Sequence, residues 1–134
     1  MILIDSYGWI EYFAEGPLAD KYAQFLEDAS PENTVTPTIF IYEVYRKIKR
    51  VKGEEKALEA YAQISRTRII ELTESLSLEA ADVSLKIGIG MADSIIVATA
   101  KAYKAEIITS DRHLKEVENI KFIGNDVANL DRVI

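Results

Sequence analysis

Ile107-Ile108-Thr109-Ser110-Asp111 is a short apolar run closed by an acid, and Met1-Ile2-Leu3-Ile4-Asp5 at the start of the chain has the same form. Runs of this length, rich in Ile and bounded by polar residues, read as buried strands. Between them, strand-length runs alternate with longer segments of helical period. Strands are expected at Ile2–Asp5, Thr34–Pro37, Arg68–Leu72, Glu106–Thr109 and Ile120–Ile123. Helices are expected at Tyr7–Phe13, Leu18–Ala29, Ile39–Val51, Glu54–Ser65, Leu76–Ile87 and Met91–Lys104, with a short one at Arg112–Glu116. Thr38 and Ser75 are the expected caps of the third and fifth helices, and Gly88 ends the fifth. In the fourth, Ala57, Leu58, Tyr61 and Ile64 share a face. The Ile95–Ala100 stretch is apolar nearly all round, which predicts a buried helix.

Alternation of this kind argues for an α/β fold: three layers, α/β/α, around a central parallel sheet of about five strands. Right-handed crossovers bring all the strand C-termini to one edge, and ligands bind there. Asp5 and Asp111 close two strands, while Glu43 and Asp93 sit near the starts of two apolar helices. Three of the eight Asp, with one Glu, are thus expected at one edge. Carboxylates gathered there repel each other, and a hard divalent cation with oxygen ligands is the natural counter-charge. Metal-assisted phosphoryl chemistry is the leading reading.

Each acid also has a plainer explanation. Asp5 and Asp111 can cap the helices that follow them. Asp93 suits the first turn of a helix through the dipole. Glu43 can pair with Arg46, three residues on.

Composition narrows the chemistry. The chain has 134 residues, which is one domain by size, residues 1–134. It has no Cys, so disulfides, thiolate metal sites and cysteine catalysis are excluded. Its one His, His113, excludes a multi-histidine zinc site within one chain. His113 itself is expected at the surface. Gly88-Ile89-Gly90 follows a helix and lacks the Lys of a phosphate loop. Net charge is −6, which argues against gripping nucleic acid by bulk electrostatics but leaves room for a nuclease. No apolar run is long enough to span a membrane, and the N-terminus lacks the features of a signal peptide, so a cytoplasmic protein is expected. Arg46, Lys47, Lys49, Arg50 and Lys52 form a basic stretch on the Glu43 helix. It is either a track for an RNA backbone or a solvated helix face. Arg112 beside Asp111 is a similar candidate.

Four stretches together resemble the PIN domain family, and within it the VapC-like toxins of toxin–antitoxin pairs. They are Ile4-Asp5-Ser6-Tyr7-Gly8-Trp9-Ile10-Glu11-Tyr12-Phe13, Ile41-Tyr42-Glu43-Val44, Ala92-Asp93-Ser94-Ile95-Ile96-Val97-Ala98-Thr99-Ala100 and Ile108-Thr109-Ser110-Asp111. The resemblance spans essentially the whole chain. It implies a Mg²⁺- or Mn²⁺-dependent ribonuclease that hydrolyses RNA with metal-activated water. By similarity Asp5, Glu43, Asp93 and Asp111 are the metal-binding acids, one or two ions being held, with Ser6 and Thr109 in support. It also implies a small antitoxin that blocks the site, and a homodimer or higher homo-oligomer. Two other functions stay in view. A phosphotransfer receiver domain fits poorly, because Ser6 stands where a second acid is needed. A non-catalytic PIN-like scaffold that binds protein or RNA is the stronger rival.

Overall fold

The first strand, β1 (Ile2–Ile4), runs parallel to β4 (Glu106–Thr109), with Leu3 opposite Ile107 and Ile4 opposite Ile108. These are the two apolar runs that close on Asp5 and Asp111. On its other side β4 pairs in parallel with β5 (Ile120–Phe122). A second parallel pair joins β2 (Val35–Pro37) to β3 (Arg68–Ile70). One bridge, Ile2 to Thr34, links the two groups, with the Ile2 amide donating to the Asn33 carbonyl at 2.8 Å. The computed structural model describes residues 1–124.

This is an α/β fold with parallel strands, as expected, but among the described residues the hydrogen-bonded central sheet holds three strands rather than five. The other two pair with each other. The bridge to the first group is made by Thr34, the residue before β2. Pro37 at the end of β2 has no N–H, which removes one donor from any further ladder there.

Among the described residues six α-helices surround the strands: α1 (Ser6–Phe13), α2 (Ala19–Glu27), α3 (Thr38–Lys52), α4 (Glu54–Ile64), α5 (Glu74–Ile87) and α6 (Met91–Ala102). They pack as neighbouring pairs, α1 on α2, α3 on α4 and α5 on α6. Every residue of α6 from Ser94 to Ala100 is buried, and the helix lies against β2 and β4. That is why its sequence is apolar on all sides. Leu3, Ile4, Trp9, Tyr22, Phe40, Ile48, Ile107 and Ile108 form the centre of the core. No single helix among the described residues is long and apolar enough to cross a membrane.

Three local expectations need correction. Thr73, not Ser75, caps α5, its hydroxyl accepting from the Leu76 amide at 3.1 Å. Thr73 has the extended backbone a cap requires, whereas Ser75 already lies inside the helix. Thr38 is the first residue of α3 and not its cap; Pro37 holds that position without a side-chain hydrogen bond. The buried face of α4 is Ala57, Ala60 and Ile64, while Leu58 and Tyr61 are exposed. Small alanines let α4 sit close on α3, so the larger residues turn outward. Gly88 ends α5 in the left-handed region at φ 70°, where glycine carries no steric penalty.

Candidate metal centre

Asp5 follows the last residue of β1, and its backbone amide donates to the Ile108 carbonyl at 3.0 Å. The carboxylate therefore emerges beside the end of β4. There the Thr109 hydroxyl donates to Asp5 Oδ2 at 2.8 Å, and Thr109 Oγ1 in turn accepts from the Asp111 amide at 3.0 Å. One threonine thus ties the Asp5 side chain to the Asp111 backbone. Ser6 also points its hydroxyl at Asp5 Oδ1, at 3.5 Å, a long contact. Asp5 is buried.

All four predicted acids line one open cavity of about 530 Å³, together with Ser6, Ser110, Arg112 and His113. Tyr7, Ala92 and Ile96 complete its walls. Glu43 reaches it from the second turn of α3, and Asp93 from the first turn of α6. Among the described residues, Arg46 makes no ion pair with Glu43. Arg46 is exposed, whereas Glu43 Oε1 is buried with no hydrogen-bond partner. The pairing alternative is not realised. Asp111 does cap the 3-10 turn Arg112–Leu114, taking the His113 amide at 2.8 Å, so capping and cavity lining coexist at that residue.

The acids disturb one another. Burial pushes the Asp5 carboxyl above the usual carboxylate range; Thr109 and the Tyr7 amide pull it back, and the charges of Asp111 and Asp93 raise it further. Burial also raises Glu43, with added repulsion from Asp5 and Asp93 and some relief from the Ser6 hydroxyl. Asp93 is raised by burial and by Asp111, and the His113 imidazole lowers it. Desolvation plus like charge is an environment that a bound cation would relieve.

The donor set fits a hard divalent ion. It is all carboxylate oxygen, and Glu43 Oε1 is a buried acceptor with no donor. Among the described residues, no three carboxylate or imidazole groups stand close enough to hold one ion between them. Mutual repulsion opposes such an approach. Mg²⁺ needs less, since it keeps several waters and takes one or two carboxylates plus phosphate oxygens.

Two features escape sequence reading. The Tyr22 hydroxyl donates to Ser110 Oγ at 2.8 Å, buttressing the residue before Asp111 across 88 positions of chain. In the sequence Tyr22 is one more apolar-face residue of α2. His113, 85% exposed as expected, nonetheless lines the cavity, with Nδ1 2.9 Å from Asp111 Oδ1. The basic candidates divide. Arg112 lines the acid cavity, while Arg46, Lys49 and Arg50 line a separate cleft on the outside of α3.

The fold is shared with solved proteins. A toxin–antitoxin complex from Klebsiella pneumoniae superposes with a TM-score of 0.75 at 22% identity, covering 90% of this chain and 96% of that one. VapBC2 from Rickettsia felis, bound to a DNA fragment from its promoter, gives a TM-score of 0.71 at 18% identity over 92% of this chain and 100% of that one. VapC20 from Mycobacterium tuberculosis, described as a sarcin–ricin loop cleaving toxin, gives 0.69 at 13% identity over 97% and 95%. At these identities the likeness is one of fold. No curated protein matches the chain by sequence. The family model of the PIN domain matches residues 2–120, nearly the whole described chain and all four acids, and the chain belongs to the PIN domain family.

Proposed function

We propose that this chain is a Mg²⁺- or Mn²⁺-dependent endoribonuclease and the toxin of a VapBC-type toxin–antitoxin pair. The observation that carries the reading is the convergence of Asp5, Glu43, Asp93 and Asp111 on one cavity, with an orphaned buried oxygen on Glu43. Membership of the PIN family and the likeness to toxin–antitoxin proteins point the same way.

A divalent cation bound there would polarise a phosphoryl oxygen and ease deprotonation of water. Asp5, Glu43, Asp93 and Asp111 are the groups that would hold it. Thr109 keeps Asp5 facing the cavity and fixes the Asp111 backbone to it. Ser6 lends a hydroxyl to the Asp5 and Glu43 side. Arg112 gives the mouth a positive charge suited to a phosphate. The RNA phosphodiester is cleaved by hydrolysis, with water as nucleophile. A small antitoxin that covers the cavity, a homodimer or higher homo-oligomer, and a cytoplasmic setting belong to the same reading. Arg46, Lys49 and Arg50 are assigned to RNA outside the cavity.

The test is cleavage of a mixed RNA pool by the purified chain with Mn²⁺, with Mg²⁺ and with EDTA. Cleavage should need the metal and should vanish in Asp93→Asn. Mn²⁺ at millimolar level should raise the melting temperature of the wild type beyond a salt control, and much less that of Asp93→Asn. A chain that neither cleaves nor responds to Mn²⁺ would be the scaffold instead.

A further inference from the structure

Five of the chain's sixteen Lys and Arg fall within the seven positions Arg46–Lys52, in a protein whose net charge is −6. Three of them, Arg46, Lys49 and Arg50, line the cleft on α3, following Ile41, Tyr42 and Tyr45 along the helix. Successive residues of a helix turn by about 100° and rise about 1.5 Å, so these six form one stripe about 14 Å long from Ile41 to Arg50. The stripe faces away from the buried side of the helix, which is Phe40, Val44 and Ile48.

Tyr42 is 67% exposed, an unusual place for a large aromatic ring. Tyr45 is half-buried, with the Lys49 ammonium 5.4 Å from its ring centre. Lys49 also meets Glu54 at 3.4 Å in an exposed pair, the kind of interaction that exchanges readily with another anion. Arg46 and Arg50 make no ion pair among the described residues. Arg46 is three residues from Glu43, so the stripe adjoins the acid cavity on the helix surface.

We propose that Tyr42 and Tyr45, with Arg46, Lys49 and Arg50, form a stacking platform for single-stranded RNA beside the acid cavity. The proposal rests on the ribonuclease reading and adds the residues outside the cavity that hold the unpaired bases. Cations track the phosphates, and an exposed tyrosine ring offers its face to an unpaired base. Bases within a duplex are already stacked, so the platform selects single-stranded or looped RNA. Charge complementarity is the argument for this occupant: the basic stripe is a local exception on an acidic chain, and its exposed ring is a base-sized flat surface.

The experiment is fluorescence anisotropy of a short fluorescein-labelled single-stranded RNA with the full chain in EDTA, where nothing is cleaved. Tyr42→Ala should weaken binding about tenfold, and Tyr42→Phe should restore it. Tyr61→Ala, at a tyrosine 45% exposed on α4, should change nothing. Arg46→Gln with Arg50→Gln should flatten the salt dependence by about 0.7 for each phosphate no longer neutralised. The same RNA annealed to its complement should bind more weakly. The platform is overturned if the wild type does not bind the single strand, if the duplex binds as well, or if Tyr42→Ala binds normally. It is also overturned if the stripe variants alter only the sedimentation of the protein, which would make the stripe an interface between copies. Because binding is read without metal, failure of the platform and failure of metal-dependent cleavage are separate results.

Discussion

Thr109 holds two of the acids in one frame, donating to Asp5 and accepting from the Asp111 amide. Valine there would keep the shape and remove both bonds. Thr109→Val should cost about 1–3 kcal/mol, since a buried carboxylate and an amide each lose a partner. Denaturant unfolding measures that loss. The Asp5 carboxyl, already raised by burial, should rise further without the hydroxyl, so a Mn²⁺ titration should show weaker binding. Normal stability and normal Mn²⁺ affinity would show that the threonine is incidental. Asp93→Asn should act in the opposite direction on the metal-free fold. It removes a charge that repels Asp5 and Glu43, so the variant should melt no lower than the wild type at neutral pH. Its lost activity would then belong to the site and not to unfolding.

Among the elements, α1 and α2 meet closely enough to dictate a glycine. A Cβ on Gly8 would fall 2.5 Å from the Tyr22 ring, where only a shift of the ring or of a helix makes room. Tyr22 cannot shift freely, because its hydroxyl is bonded to Ser110 at the cavity. Gly8→Ala should therefore destabilise by about 1–3 kcal/mol through overpacking. It should also reduce metal affinity by pulling Tyr22 off Ser110. A drop in melting temperature with unchanged Mn²⁺ affinity would mean that the strain is absorbed elsewhere. Local rules predicted much about the helices. Gly88 stops α5 as a left-handed cap, and α6 is buried as its all-round apolarity requires. The sequence points to Ser75 as the cap of α5, and the structure gives that place to Thr73. The choice between them turned on which residue had extended backbone after β3, a matter of chain path. On α4 the apolar pattern put Leu58 and Tyr61 beside Ala57 and Ile64, but close packing on α3 buries Ala60 in their place.

For the whole molecule, three raised carboxyls make stability depend on pH in a definite sense. Asp5, Glu43 and Asp93 bind protons more tightly in the fold than in the unfolded chain. Without metal they favour the fold at acid pH, and that contribution is lost as pH rises from the ordinary carboxylate range through their raised values. Metal needs the deprotonated forms, so Mn²⁺ should raise the melting temperature more as pH rises over that same range. Melts with and without Mn²⁺ from acid to neutral pH measure this, with Asp93→Asn as the reference for unrelated carboxylates. A Mn²⁺ effect that is flat across the range would separate these acids from the metal.

Most of the strands and helices, and the placing of Asp5 and Asp111 at the ends of two parallel strands, were legible in the order of residues. Hydrophobic period and chain direction are local properties, and right-handed crossover does the rest. The fate of Glu43 was not legible in the same way. The choice between Arg46 and the cavity depended on how α3 is rotated against its neighbours, and Phe40, Val44 and Ile48 set that rotation by burial. The Tyr22–Ser110 bond and the division of the strands into a group of three and a group of two are of the same kind. Each depends on contacts between residues far apart in the chain, and no local pattern encodes which of several compatible partners a side chain will meet.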